Sequence, residues 1–239
     1  MSDYISILSV ILFAVLLVAT FLLSSAMNRK EKDVHEIIEG MTLDAIFIAI
    51  ILLMTFVPNL GFIAVTPFVS FTLMHLPVLL GAALGGWKKG LMLGFVFGLA
   101  SYMQALSSAG FNALFAYPWV AIPPRMLFGL AAGLVFSLIG KISQRKAIGL
   151  YYGVACAGLT MLHTGLVFLD LFVFYPDTII GLFSSTSPVA TGTALTFTII
   201  ILLGMAGEMA LAAVLIPTLY SVANAVLPSA RRKKKARSH

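Results

Sequence analysis

Seven polar residues stand inside long apolar stretches of the chain: His75, Gln104, Asn112, Arg125, His163, Asp170 and Glu208. A polar group within a hydrocarbon-length segment is expensive to bury, so each marks a functional site by default. Arg125 is the sharpest. It follows Pro123 and Pro124, an order that predicts the opening of a helix, where proline is tolerated in the first turn. Its guanidinium fork suits a bound carboxylate, and it could equally serve as a partner for Asp170 or Asp177. His163, in Thr160-Met161-Leu162-His163-Thr164, can donate to a ligand or bond a neighbouring helix backbone. His75, just before Pro77, can line the mouth of a pocket or anchor at the membrane interface. Glu208, in Gly204-Met205-Ala206-Gly207-Glu208, must be protonated or paired if buried. It fits either a proton relay or a hydrogen-bonded structural or pocket residue. A relay needs a chain of such groups, and no second carboxylate or lysine is expected at its depth.

Other chemistries lack their residues. His75 and His163 are unaccompanied and no HExxH occurs, so no metal site is expected. There is no GxSxG, no paired aspartate and no GxxxxGK[ST], the nucleotide-cradling loop. No cofactor is implied. The single cysteine, Cys156, can form neither an internal disulfide nor a cysteine cluster, and reads as a small core residue.

The elements that must position these residues follow from composition. The chain has 239 residues, 60% of them hydrophobic and 10% charged, with mean hydropathy +1.05. Soluble domains carry about 25% charged residues. A soluble enzyme, a disordered chain and a nucleic-acid-binding domain are therefore excluded, despite a net charge of +6.

The position of the charge explains it better. Arg29, Lys30 and Lys32 form one basic group, Lys88 and Lys89 a second, and Lys141, Arg145 and Lys146 a third. Arg231, Arg232, Lys233, Lys234, Lys235 and Arg237 form the tail. Only Arg125 stands alone. Between the groups lie stretches that fit bilayer spans of about 20 residues. Residues 5–27 fit one. Residues 45–87 fit two spans, with a turn near Pro58, Asn59, Gly61 and Pro67. One span runs from 90 to about 106, followed by an irregular stretch through Gly110, Asn112 and Pro118. Residues 124–140 and 147–175 each fit one, and 190–226 reads as a single long, tilted helix. Seven helices with the N-terminus outside place all four basic groups, and the C-terminus, in the cytoplasm. The basic residues follow rather than precede the apolar core of residues 5–27, so this segment reads as a retained helix rather than a signal peptide. Residues 28–41 form a cytosolic linker, 42–226 a six-helix domain and 227–239 a basic cytosolic tail.

Glycines recur at four-residue spacing: Gly90, Gly94 and Gly98; Gly129 and Gly133; Gly81 and Gly85. Such bare faces allow close helix approach. Ala45 and Ala49 form a similar face.

The stretch Thr72–Ala82, running into Gly90–Ser101, resembles the substrate-binding S components of energy-coupling factor (ECF) transporters, and so does Pro124-Arg125-Met126-Leu127-Phe128-Gly129. The resemblance covers residues 41–226 and is nearest to the pantothenate-specific group. It implies a multi-pass protein of a bacterial cell membrane that captures a vitamin from outside. Such a protein docks on a separate transmembrane T component carrying two ABC ATPase subunits, topples in the bilayer, and is not itself an enzyme. It also implies that Ala45-Ile46-Phe47-Ile48-Ala49 is the docking motif and that the loop 58–75 folds over substrate. The chain departs from the family in its extra helix, 1–27, and in His163-Thr164, where an Asn-Thr pair is expected.

The pocket is accordingly expected at the outer end, between loops 58–75 and 107–120 and the outer halves of the last three helices. Phe68, Phe71, Phe111, Phe115, Tyr117 and Trp119 would line it. The expected substrate-binding residues are Arg125, His163, Thr164, His75, Asn112, Trp119 and Glu208. Arg125 argues for an anionic vitamin, pantothenate first. Three readings compete: an S component for another vitamin or precursor, an ion-coupled secondary transporter, and a membrane enzyme built on His163, Asp170 and Arg125. The inverted repeats and charged midplane of a secondary transporter are not evident.

Overall fold

The computed structural model describes residues 34–57, 60–66, 69–108, 110–142, 148–183 and 190–227. The expected helix at 5–27, residues 28–33 of the linker and nearly all of the tail lie outside the described residues. Among the described residues the regular structure is helical apart from one small hairpin. The elements run α1 (Val34–Phe56), β1 (Phe62–Thr66), β2 (Val69–Thr72), α2 (His75–Ala105), a 3-10 turn (Gly110–Phe115), α3 (Pro118–Ile142), α4 (Ile148–Phe174), α5 (Pro176–Phe183) and α6 (Ala190–Val226).

α2 is not one rod. Gly86 has φ +75° and ψ −163°, a backbone state open mainly to glycine, and the chain reverses there. A Cβ at Gly81 would meet the side chain of Leu93, and one at Gly90 would lie 3.1 Å from the Cβ of Ala82. The arms 75–85 and 87–105 are therefore antiparallel neighbours. This corrects the reading of 45–87 as two full spans. After α1 the chain forms an antiparallel hairpin, with Phe62 opposite Thr72 and Ile63 opposite Phe71, and then a helical arm too short to cross a bilayer.

The glycine stripes explain the tightest packing. Gly90, Gly94 and Gly98 on the second arm of α2 lie directly against the backbone of Gly129, Arg125 and Ile122 on α3, and Gly133 lies against Trp87. Without side chains between them, the two helices meet backbone to backbone. α6 crosses α4 with Gly153 close to the carbonyl of Ala213. The core of Phe47, Ile51, Met74, Val78, Leu93, Phe97, Phe128, Phe136, Cys156 and Ile216 fills the space between the helices.

Among the described residues four helices are long and apolar enough to span a bilayer: α1 over Ile37–Phe56, α3 over Pro118–Lys141, α4 over Ile148–Phe174 and α6 over Thr198–Val226. Their outward faces carry exposed Leu53, Leu138, Val154, Leu169, Leu203 and Val214, a surface suited to hydrocarbon and not to water. This is a multi-pass cell-membrane protein.

One end of the bundle is basic. Lys89 pairs with Asp44 at 2.7 Å and donates to the carbonyl of Gly40 at 3.0 Å, fastening the α2 turn to the start of α1. Lys141 ends α3 on the same side, past Ser137 and its neighbour Gly86.

Candidate functional site

α3 begins at Pro118, so Pro123 and Pro124 lie inside it. Arg125 therefore sits two turns into the helix and not at its opening, which corrects the expectation. The interior prolines have a compensation. Pro124 has no N–H to give the carbonyl four residues back, Val120. Nη1 of Arg125 donates to Val120 O at 3.3 Å and to Ala121 O at 3.0 Å. The guanidinium is buried, and it lies over the rings of Phe115 at 4.5 Å and Phe97 at 5.7 Å, contacts that favour a cation. No ion pair joins it to Asp170 or Asp177. Its Nε has no hydrogen-bond partner among the described residues.

Beside Arg125 lies a cavity of about 120 Å³, room for about four waters. The hairpin contributes Phe62, Phe71 and Thr72. The second arm of α2 contributes Ser101, Gln104 and Ala105, and the loop beyond it Ser108. α4 contributes His163 and Thr164, and α6 contributes Gly204, Met205 and Glu208. Asn112, Phe115 and Arg125 line it too. Apolar rings with a few convergent polar groups are the usual make-up of a small-molecule site.

Several of those polar groups are buried without partners. Both ring nitrogens of His163, Oγ of Ser101 and Oε1 of Gln104 join Nε of Arg125 in having none among the described residues. Buried polar atoms are almost always satisfied in proteins, so such a cluster around one cavity points to a ligand that satisfies them. The His163 ring is held between Phe128 at 4.9 Å and Phe97 at 5.4 Å, and stacks on His75 at 6.1 Å. Oγ1 of Thr164 donates to the carbonyl of Thr160 at 3.3 Å. Oε1 of Glu208 accepts the backbone N–H of Thr72 at 2.6 Å, which ties α6 to the end of β2. Phe71 lies against the bare backbone of Gly204.

Of the expected site residues, Arg125, His163, Thr164, Asn112 and Glu208 come together on this cavity. His75 does not line it. It is fully buried behind His163, with Nδ1 2.6 Å from the carbonyl of Thr72, so it neither lines a mouth nor anchors at an interface. Trp119 points away: it is 54% exposed and stacks with Tyr117, itself outside the cavity, at 5.1 Å. Phe71 and Phe115 line the cavity as expected. The side chains of Phe68 and Phe111 lie outside the description.

Gln104 was visible as an intramembrane polar residue but not assigned to the pocket. Ser101 and Ser108 were missed. Ser101, Gln104, Ala105 and Ser108 follow the i, i+3, i+4, i+7 spacing of one helix face, a small polar stripe in an apolar stretch that could have flagged them.

At the other surface, Ala45 and Ala49 lie exposed on the outward face of α1 with Ile46, Ile50 and Leu53, while Asp44, Phe47, Ile48 and Ile51 face the core. Among the described residues no group of His, Cys, Asp and Glu could hold a metal.

Comparison with known proteins adds an independent line. The family model of the ECF transporter substrate-specific component matches residues 39–220. The pantothenic acid transporter PanT of Lactococcus lactis subsp. cremoris (strain MG1363) is 34% identical over 151 residues, covering 56% of this chain and 73% of that protein. The pantothenate transporter PanT of Leuconostoc mesenteroides subsp. mesenteroides is 34% identical over 102 residues, covering 41% of this chain and 50% of that protein.

Proposed function

The chain belongs to the family of ECF transporter substrate-specific components, and from that premise we propose that it captures an anionic vitamin, pantothenate, from outside the cell. It is a binding subunit and not an enzyme. Delivery inward would use a separate T component and two ATPase subunits, with Ala45 and Ala49 forming the docking face. In this reading the chain crosses the membrane seven times, one descent being made by the hairpin with the short first arm of α2, the N-terminus lies outside, and the basic clusters face the cytoplasm. The extra helix at 1–27 precedes the six-helix domain 42–226.

The observation that carries the ligand assignment is Arg125. A buried guanidinium with an unpartnered Nε borders a cavity rimmed by aromatic rings. Taking a charge out of water is costly unless it is paired, and a ligand carboxylate supplies that pair. His163 and Thr164 would hydrogen-bond the amide or hydroxyl groups of the ligand, and Asn112 would add a contact from the 3-10 turn. The names of the two relatives support pantothenate.

The test is calorimetry on detergent-purified protein with pantothenate, its carboxamide analogue and a neutral vitamin, alongside mass spectrometry of whatever small molecule copurifies. Binding of pantothenate and not of the carboxamide is expected. Equal affinity for the carboxamide would remove the role assigned to Arg125. A different copurifying vitamin would replace pantothenate as the substrate.

A further inference from the structure

Two formal charges of opposite sign line one cavity and do not pair with each other. Arg125 and Glu208 both border it, yet no ion pair joins them. Each has one atom committed to backbone. Nη1 of Arg125 holds the carbonyls of Val120 and Ala121, and Oε1 of Glu208 holds the N–H of Thr72. The Thr72 bond anchors the carboxylate from the hairpin side, where Phe71 packs on Gly204 one helical turn away. The site thus has a cationic group and an acceptor group built into different walls.

Oε1 of Glu208 accepts the Thr72 N–H, a bond that favours the ionised form, and an ionised carboxylate accepts hydrogen bonds and cannot donate them. Whatever ligand atom meets Glu208 must bring a hydrogen with it. A second carboxylate on the ligand would set two like charges against each other in a poorly hydrated space, where repulsion is strong. The remaining polar groups nearby, Ser101 and Gln104, can donate or accept and impose no such sign.

We propose that Glu208 is a specificity-determining residue: it selects a monocarboxylate whose far end carries a hydrogen-bond donor and rejects dicarboxylates. This rests on the assignment of Arg125 to the ligand carboxylate. It extends that assignment to the other end of the molecule, where pantothenate carries hydroxyl groups.

The experiment is calorimetry on the full-length protein with three ligands. They are pantothenate, pantothenate methylated on its terminal hydroxyl, and the dicarboxylate formed by oxidising that terminal alcohol to a carboxylate. Wild-type protein should bind pantothenate about 10- to 100-fold more tightly than the methyl ether, the worth of a hydrogen bond to a charged group, and should discriminate against the dicarboxylate at least as strongly. Glu208→Gln keeps an oxygen for the Thr72 N–H and gains an N–H that can donate to a carboxylate. It should weaken pantothenate about 10- to 100-fold and shrink the discrimination against the dicarboxylate by at least about tenfold. An unchanged ratio in a folded Glu208→Gln protein overturns the assignment of Glu208. So does a wild-type ratio near one for all three ligands, which needs no variant. Wild-type protein that binds none of the three overturns the pantothenate reading itself, and the role of Glu208 with it.

Discussion

The α-carbon of Gly94 faces the carbonyl oxygen of Arg125 across the α2–α3 contact, with no room for a side chain between them. The position of the guanidinium therefore depends on a glycine one helix away. Gly94→Val should drive the helices apart and pull Arg125 from its place beside Phe115. Overpacking of this kind costs about 1–3 kcal/mol. We expect a lower unfolding midpoint and at least about a tenfold loss of pantothenate affinity, the change that 1.4 kcal/mol produces. Gly158→Ala, where nothing lies within 4 Å of the added carbon, should leave both unchanged. Equal behaviour of the two variants would disconnect the glycine stripe from the site.

Arg125→Ala should weaken binding of pantothenate at least about 30-fold, the lower end of the roughly 2–5 kcal/mol cost of removing one partner of a buried charged contact. Arg125→Lys should not fully restore it, because an ammonium lacks the fork. The alanine variant also loses the donor that serves Val120, so folding is checked by size-exclusion chromatography and thermal unfolding. A folded Arg125→Ala protein with wild-type affinity would make the arginine purely a filler for the proline gap.

Asp44 is 1% exposed and has Lys89 as its ion-pair partner. Lys89→Ala removes the cation beside that buried carboxylate, and breaking a buried pair costs about 3–5 kcal/mol. The double variant Lys89→Ala with Asp44→Asn should recover much of the loss. Thermal unfolding of wild type, Lys89→Ala, Asp44→Asn and the double variant reads this directly, and strict additivity of the two single effects would show that the pair does not couple.

Ala45→Leu and Ala49→Leu should leave calorimetric affinity unchanged while abolishing vitamin uptake by cells. Both positions are exposed on α1, and a larger side chain would hold a partner helix away. A fall in affinity instead would mean that the face supports the pocket.

A cysteine beside the exposed Lys88 should resist an impermeant thiol reagent in intact cells and react after the membrane is opened. Labelling in intact cells would invert the proposed topology.

Much of this was legible in the sequence because bilayer burial makes polar residues rare. Arg125, His163, Thr164, Asn112 and Glu208 stood out against apolar surroundings, and all five border the cavity. The glycine spacings gave packing faces, though not that the two stripes meet each other. The hairpin was not legible: an apolar run such as Phe62–Thr66 reads equally as strand or helix when periodicity is the only guide. Trp119 was misplaced for a related reason. Pro123 and Pro124 suggested that the helix starts there, whereas it starts at Pro118, since Arg125 supplies a donor that Pro124 lacks. Trp119 is then on a helix and not in a loop, and its direction is set by helical geometry. His75 was found by its polarity, but its burial behind His163 depends on the reversal at Gly86, which brings a second arm alongside the first.

The brevity of the first arm of α2 bears on distance travelled. Residues 75–85 measure about 16 Å along a helix, close to half of a hydrocarbon core of about 30 Å. They run from the basic turn at Gly86 up to His75, whose ring stacks on His163 at the cavity wall. In the proposed topology a molecule resting against His163 would therefore lie near the midplane, with the hairpin on its outer side. On the function proposed above, the capture step would cover about half the passage, and an energised partner would have the remaining half to open.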